Sequence, residues 1–271
     1  MQSIQVKTPD GISLAAQDWG NPGGREILFI HGFNQAHLSW LRQVNDPALQ
    51  RDFRMVTYDL RGHGMSDKPP EAARYADGKL WGDDVAAVMA ATNLKRPVLV
   101  GWSYGGRVIA DYLRTHGEAR IAGINYVNAR TVVEASMFGP GRLNFPNMQS
   151  DDLATNIAGT RGFLRACFAK QPSEEDFEAM LAFNMVVPAL VRRNILGRPA
   201  ESSDVLSQIT CPVLITHGKD DQVLLASMAD FTATKIKGAK LSFYDGVGHS
   251  PFWEDAARFN RELAGFVSAT R

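Results

Sequence analysis

Gly101-Trp102-Ser103-Tyr104-Gly105-Gly106 decides how this chain is read. The segment follows an apolar strand pattern, Pro97 to Val100, and opens a helical stretch, Arg107 to Arg114. Glycines on both sides of Ser103 permit a sharp strand-to-helix turn. Such a turn lifts a serine hydroxyl clear of a sheet in a strained backbone, with a helix N-terminus beneath it. A bare G-x-S-x-G match is weak, and the strand before it and the helix after it give it meaning. Dinucleotide binding is a poor fit, because Gly101, Gly105 and Gly106 have the wrong spacing for G-x-G-x-x-G. A phosphate-binding P-loop is absent as well.

Working outward, short apolar runs of strand length recur at Ile27 to Ile30, Met55 to Tyr58, Val98 to Gly101, Ile124 to Val127, Val213 to Thr216 and Leu241 to Tyr244. Segments of helical length separate most of them, and that alternation predicts a mostly parallel sheet covered on both faces. Trp81, Val85, Val88 and Met89 share one helical stripe, as do Phe259, Leu263, Phe266 and Val267. The N-terminus differs. Two alternating stretches, Ile4 to Lys7 and Ile12 to Asp18, flank Pro9-Asp10-Gly11 and predict a hairpin. The alternation lapses between about Thr131 and Thr210, where patterns such as Glu174 to Phe183 are helical. This is too long for a plain connection. It reads as a helical cap (131–210) inserted into a core made of 1–130 and 211–271, over the sheet edge where open α/β sheets bind ligands.

Composition bounds the partners. The 271 residues carry 29 Lys plus Arg against 29 Asp plus Glu, so there is no basic surplus with which to grip a phosphate backbone. Nucleic acid is therefore not expected. A hydrophobic fraction of 45% with 21% charged residues suits a globular chain with one large core and an inserted segment. No run approaches the ~20 apolar residues of a bilayer span, so no membrane role is expected. Cys167 and Cys211 are the only cysteines, far apart and outside metal-ligand spacing, which argues against a disulfide framework and a metal site. The first twenty residues lack a signal-peptide pattern, and a cytoplasmic location is the expectation.

A serine hydroxyl needs a base at neutral pH, and the base needs an orienting carboxylate. His249, in Asp245-Gly246-Val247-Gly248-His249-Ser250-Pro251, follows the last strand on an expected mobile loop at the same edge as Ser103. His217 ends its own strand and reads as structural. His31 and His63 read as loop hydrogen-bonders, and His37 and His116 as surface residues. An acid after the penultimate strand is offered by Asp220 or Asp221.

With these residues in view the chain resembles the α/β-hydrolase family, in its serine-esterase and cofactor-free haloperoxidase-like branch. The carrying motifs are the elbow Gly101 to Gly105, a late Gly248-His249, Gly218 to Asp221 as G-x-x-D, and His31-Gly32-Phe33 at a strand end. A D-x-R-G-x-G-x-S loop from Asp59 to Ser66 completes the set. The resemblance implies an eight-stranded, mostly parallel sheet and a Ser103-His249-Asp221 triad, with Asp220 the lesser option. It also implies an oxyanion hole made by the backbone N–H groups of Phe33 and Tyr104.

The chemistry implied is hydrolysis of a small, fairly apolar carboxylic ester, lactone or related acyl bond, with no cofactor or metal. Ser103 in place of an aspartate argues against dehalogenase and epoxide-hydrolase chemistry. The stretch His31 to Trp40 resembles the loop of cofactor-free haloperoxidases and arylesterases, with Asn34 where that loop carries proline. Perhydrolase action or carbon-carbon bond hydrolysis at the same site are alternatives, and a non-turnover small-molecule receptor is an alternative of another class. Trp102, Phe138 and Phe163 are expected pocket residues, with Phe33 and Tyr104 as further walls. Phe145, Phe168, Met180, Phe183 and Met185 would complete an apolar lid. Oligomeric state is not readable.

Overall fold

The structure, a computed structural model, describes residues 1–198 and 203–270. Gly11 turns the chain at φ 87° between β1 (Gln2–Lys7) and β2 (Ser13–Gly20), which pair antiparallel. From there the strands are β3 (Arg25–Ile30), β4 (Phe53–Tyr58), β5 (Val98–Trp102), β6 (Gly123–Val127), β7 (Val213–Gly218) and β8 (Lys240–Tyr244). They form one eight-stranded sheet in the order β1-β2-β4-β3-β5-β6-β7-β8. β2 runs antiparallel to β4, and every pairing from β4 to β8 is parallel.

β5 and β6 are buried at every position, so neither shows polar alternation. Both faces of a parallel sheet are covered, which removes any solvent face for polar side chains. Helices Gly78–Ala91, Tyr104–His116, Ser227–Lys235 and Ala256–Ala269 flank it. The expected stripes lie inward, with Trp81, Val85, Val88 and Met89 buried and Phe259, Leu263 and Val267 buried with them.

Between β6 and β7 the described residues are helical, with Phe145–Met148, Leu153–Ala166, Glu174–Met185 and Ala189–Leu196 as α-helices. Positions 199–202 of the stretch 131–210 lie outside the described residues. Arg192 ties these helices together from full burial. Its guanidinium donates to Val187 O, Met148 O, Asn184 O, Asn156 Oδ1 and Thr160 Oγ1 at 2.6–3.0 Å. No acidic partner is among these acceptors, and burial brings Arg192 down to about 10. No single helix among the described residues is long and apolar enough to cross a membrane. Both cysteines are free.

Because β3 and β4 cross over before β5, neighbouring connections diverge where β3 meets β5. That switch point leaves a crevice at the carboxyl ends of the strands. Ser103 sits at the end of β5, beside the loop that follows β3.

Candidate active site

Ser103 adopts φ 54° and ψ −113°, a conformation that L side chains rarely hold and that marks a functional turn. Its neighbours explain the flanking glycines sterically. A Cβ on Gly101 would lie 2.5 Å from Ile109 Cδ1 and 2.9 Å from the Gly105 carbonyl carbon. A Cβ on Gly105 would lie 2.5 Å from the Ile30 carbonyl oxygen. The strained turn is pinned on both sides of the peptide: Ser103 N–H donates to Val127 O at 3.0 Å, and Arg130 N–H donates to Ser103 O at 2.9 Å. Ser103 itself stays half-buried.

Of the two aspartates after β7, Asp221 is buried and Asp220 is exposed. Asp221 Oδ2 lies 2.7 Å from His249 Nδ1 and accepts from Asn128 Nδ2 at 2.7 Å, while Oδ1 accepts the N–H groups of Val223 and Leu224 at 2.7 and 3.0 Å. Burial alone would push this carboxyl up. The His249 ring, its hydrogen bond, His217 and Asn128 outweigh burial and hold it below its ordinary value. His217 Nε2 sits 3.4 Å from Asp221 but bonds the Leu224 carbonyl at 2.9 Å, and burial depresses its basicity.

With Nδ1 on the carboxylate, His249 Nε2 is buried with no hydrogen-bond partner among the described residues. An unpaired buried ring nitrogen costs free energy in a purely structural histidine. The loop expected to be mobile is instead tied down. Gly248 N–H donates to Glu254 Oε1 at 2.9 Å, His249 N–H to Cys167 O at 3.1 Å, and Trp102 Nε1 to His249 O at 2.8 Å. The last bond couples this loop to the elbow, one residue before Ser103.

The loop after β3 is held by the segment Asp59 to Ser66. Leu60 N–H donates to His31 Nε2 and Asn34 N–H to His63 Nε2, both at 3.0 Å. Both rings are therefore neutral acceptors at Nε2, and burial takes His31 down to about 4 and His63 to about 3. Asp59 receives His37 and Met65 N–H groups; despite burial, His37 heads the contacts that bring it to about 2. Gly64, at φ 44°, presses so closely on that carboxylate that a Cβ would lie 2.2 Å away. His37, read as a surface residue, is half-buried on Asp59, and His116 bonds Asp83.

A Cβ on Gly32 would approach Ser103 Cβ to 3.2 Å, so this loop lies directly against the elbow. Phe33 N–H has no acceptor among the described residues. Tyr104 N–H opens its helix, where the first amides lack intrahelical partners. Two free donors thus flank Ser103.

Among the expected walls, Phe33 forms an aromatic triangle with Phe145 and Phe163, at centroid distances of 5.6, 6.5 and 5.5 Å. Phe138 lines an open groove next to it. Trp102 packs on His249 and Phe252 and faces a small cavity bounded by Leu164, Phe168, Met180 and Phe183. Tyr104 turns the other way: its ring lies against Trp81 and its hydroxyl accepts from Arg198, so it packs in the core rather than walling a pocket. Asn128 and Glu254 escaped the sequence reading. Asn128, at φ 41°, is one polar residue after an apolar strand, and nothing local links it to a carboxylate 93 residues on. Among the described residues no group of three or more His, Cys, Asp or Glu side chains could hold a metal ion.

The model of the Alpha/beta hydrolase family matches residues 27–262. An esterase from Rhodococcus, RhEst1, superposes with a TM-score of 0.92 at 31% identity over 100% of both chains. A suspected aryl esterase from Burkholderia cenocepacia gives 0.93 at 38% identity, covering 98% of each chain. A bifunctional esterase/perhydrolase of Acinetobacter calcoaceticus is 27% identical over 97% of this chain and 98% of its own. The elbow, the eight-stranded sheet and these matches agree, and the chain belongs to the α/β-hydrolase family.

Proposed function

We propose that the protein hydrolyses carboxylic esters of small acyl substrates through Ser103, His249 and Asp221. The observation that carries this reading is the buried Asp221–His249 pair at 2.7 Å, whose second ring nitrogen is left without a partner beside a strained serine turn. In the reaction Ser103 Oγ attacks the carbonyl carbon as His249 Nε2 takes its proton. The tetrahedral oxyanion is received by the N–H groups of Phe33 and Tyr104, an interaction worth about 3 kcal/mol per donor where such donors have been removed. His249 returns the proton to the leaving alcohol, and water repeats the sequence on the acyl-enzyme. Asp221 fixes the ring with its proton on Nδ1 and stabilises the cation that forms. The segment 131–210 acts as a cap whose Phe145 and Phe163 close over Phe33 and set the space for the acyl group.

The esterase relatives support this reading. Perhydrolysis at the same site is the second reading, which the esterase/perhydrolase relative also supports, and one local feature of the loop after β3 bears against it. Asn34 holds φ 64° and gives its N–H to His63, and proline permits neither. The proline-bearing loop that Asn34 departs from would therefore have to take another path.

A fluorophosphonate reagent should label the native protein at Ser103 and leave Ser103→Ala unlabelled. Continuous release of p-nitrophenol from short acyl esters distinguishes turnover from a receptor, which would give at most one equivalent. An unlabelled native protein with no turnover refutes the proposal.

A further inference from the structure

Beside the aromatic triangle runs an open groove of about 510 Å³, lined in part by Arg130, Phe138, Arg142 and Phe145. Three contacts join it to the site. Arg130 N–H bonds the Ser103 carbonyl, Phe145 packs on Phe33, and Phe138 bridges in antiparallel fashion to Leu224, whose N–H is on Asp221. The groove therefore borders the elbow, the loop after β3 and the acid loop at once.

Its electrostatics are unbalanced. The guanidinium carbons of Arg130 and Arg142 lie 5.4 and 5.7 Å from the centre of the Phe138 ring. Among the described residues no carboxylate pairs with either side chain, and Arg130 Nε is buried without an acceptor. Glu134, next to the groove in sequence, bonds Ser136. Burial and the like charge of Arg198 both make the charged form of Arg130 less comfortable than in water, with only the Tyr104 phenol favouring it. Arg54 and Arg61 are paired with Asp18 and Asp84, and the buried Arg192, which lacks a carboxylate, has its guanidinium taken up by protein carbonyl and side-chain oxygens instead. Two unpaired guanidinium groups on one ring, at the rim of a groove, are set for a planar anion.

We propose that the groove binds the carboxylate of an anionic ester, one carrying a second, ionised carboxyl group beyond the bond that is cleaved. This rests on the hydrolase reading and narrows its substrate class from neutral esters to acidic ones. Arg130 and Arg142 take the carboxylate, the aromatic triangle covers the intervening methylenes, and the ester carbonyl lies over Ser103.

Binding to Ser103→Ala, measured by calorimetry, tests the site without turnover. Methyl hydrogen glutarate should bind about tenfold more tightly than the size-matched methyl pentanoate in low salt, with the preference shrinking at about 0.5 M salt. Adding Arg142→Glu, a change at an exposed position, should abolish or invert the preference. Equal affinity for the two esters, or a preference that Arg142→Glu leaves intact, overturns the proposal. Wild-type turnover of the same pair is read separately. The hydrolase reading stands or falls on the fluorophosphonate and p-nitrophenyl ester assays, whereas the binding comparison decides the anion site.

Discussion

Asp221 shows how much one residue depends on its distant partners. Its two oxygens accept four hydrogen bonds, from His249, Asn128, Val223 and Leu224. Two accepted bonds on each oxygen need the in-plane lone pairs of an ionised carboxylate, since a proton on either oxygen would take one of them. Asp221→Asn keeps the shape but must turn an NH₂ group toward donors, either the two backbone amides or His249 and Asn128. Ester turnover should fall by about 10⁴-fold with little change in KM, as expected when the ring loses its orienting acceptor. Asp220→Asn, at an exposed position, should change kcat less than twofold in the same assay, and a reversed result would move the acid role to Asp220. Sequence order left Asp220 and Asp221 both open, and the resemblance of Gly218 to Asp221 to the family's G-x-x-D element favoured Asp221. The Asn128 contact was not legible, because it forms only when β6 and β7 lie side by side.

At the scale of elements, the helices between β6 and β7 bury apolar side chains such as Phe163, Leu181, Val191 and Ile195, and a buried cation joins them. Arg192 gathers carbonyls from the ends of Phe145–Met148 and Glu174–Met185 and side chains from Leu153–Ala166. Asn184 continues the chain of contacts to the loop after β3, accepting at Oδ1 from Asn34 Nδ2 at 2.8 Å. Lysine presents three donors on a flexible stem in place of a planar fork, so Arg192→Lys leaves several of these acceptors unmet. The cost should be about 2–4 kcal/mol, concentrated in this segment. Hydrogen exchange should show faster opening across 145–196 with the β3–β6 core unchanged, and uniform protection would disprove the hub role. The helical character of this stretch was legible from periodicity and the missing strand patterns. Its cohesion was not, since nothing local distinguishes Arg192, which is buried, from its neighbour Arg193, and arginines usually face solvent.

For the whole molecule, equal numbers of acidic and basic residues argue against a polyanionic partner. Net charge is silent on local imbalance, and the groove beside Ser103 carries two arginines that no carboxylate among the described residues pairs. The same holds for pH. His31 and His63 are buried, with folded values near 4 and 3 against about 6.5 in the unfolded chain. Between these limits the unfolded state binds the extra protons, so their contribution is complete above about pH 6.5 and is lost as pH falls. At pH 5 the loss is on the order of 2 kcal/mol for each ring. Denaturation midpoints measured from pH 7.5 to 4.5 should fall accordingly, and a flat profile would contradict neutral, buried imidazoles. Sequence by itself determined the fold class and the elbow, while the order serine, acid, histidine was implied by the family resemblance. The fold class and the elbow follow from local rules: apolar runs of strand length, and glycines flanking a serine between a strand pattern and a helix pattern. Tertiary structure alone decided that His249 is fixed and not mobile, that Tyr104 packs inward, and which groups surround Asp221. It also decided where charge goes unpaired. Such facts arise from contacts between residues tens to more than a hundred positions apart, and no local pattern encodes them.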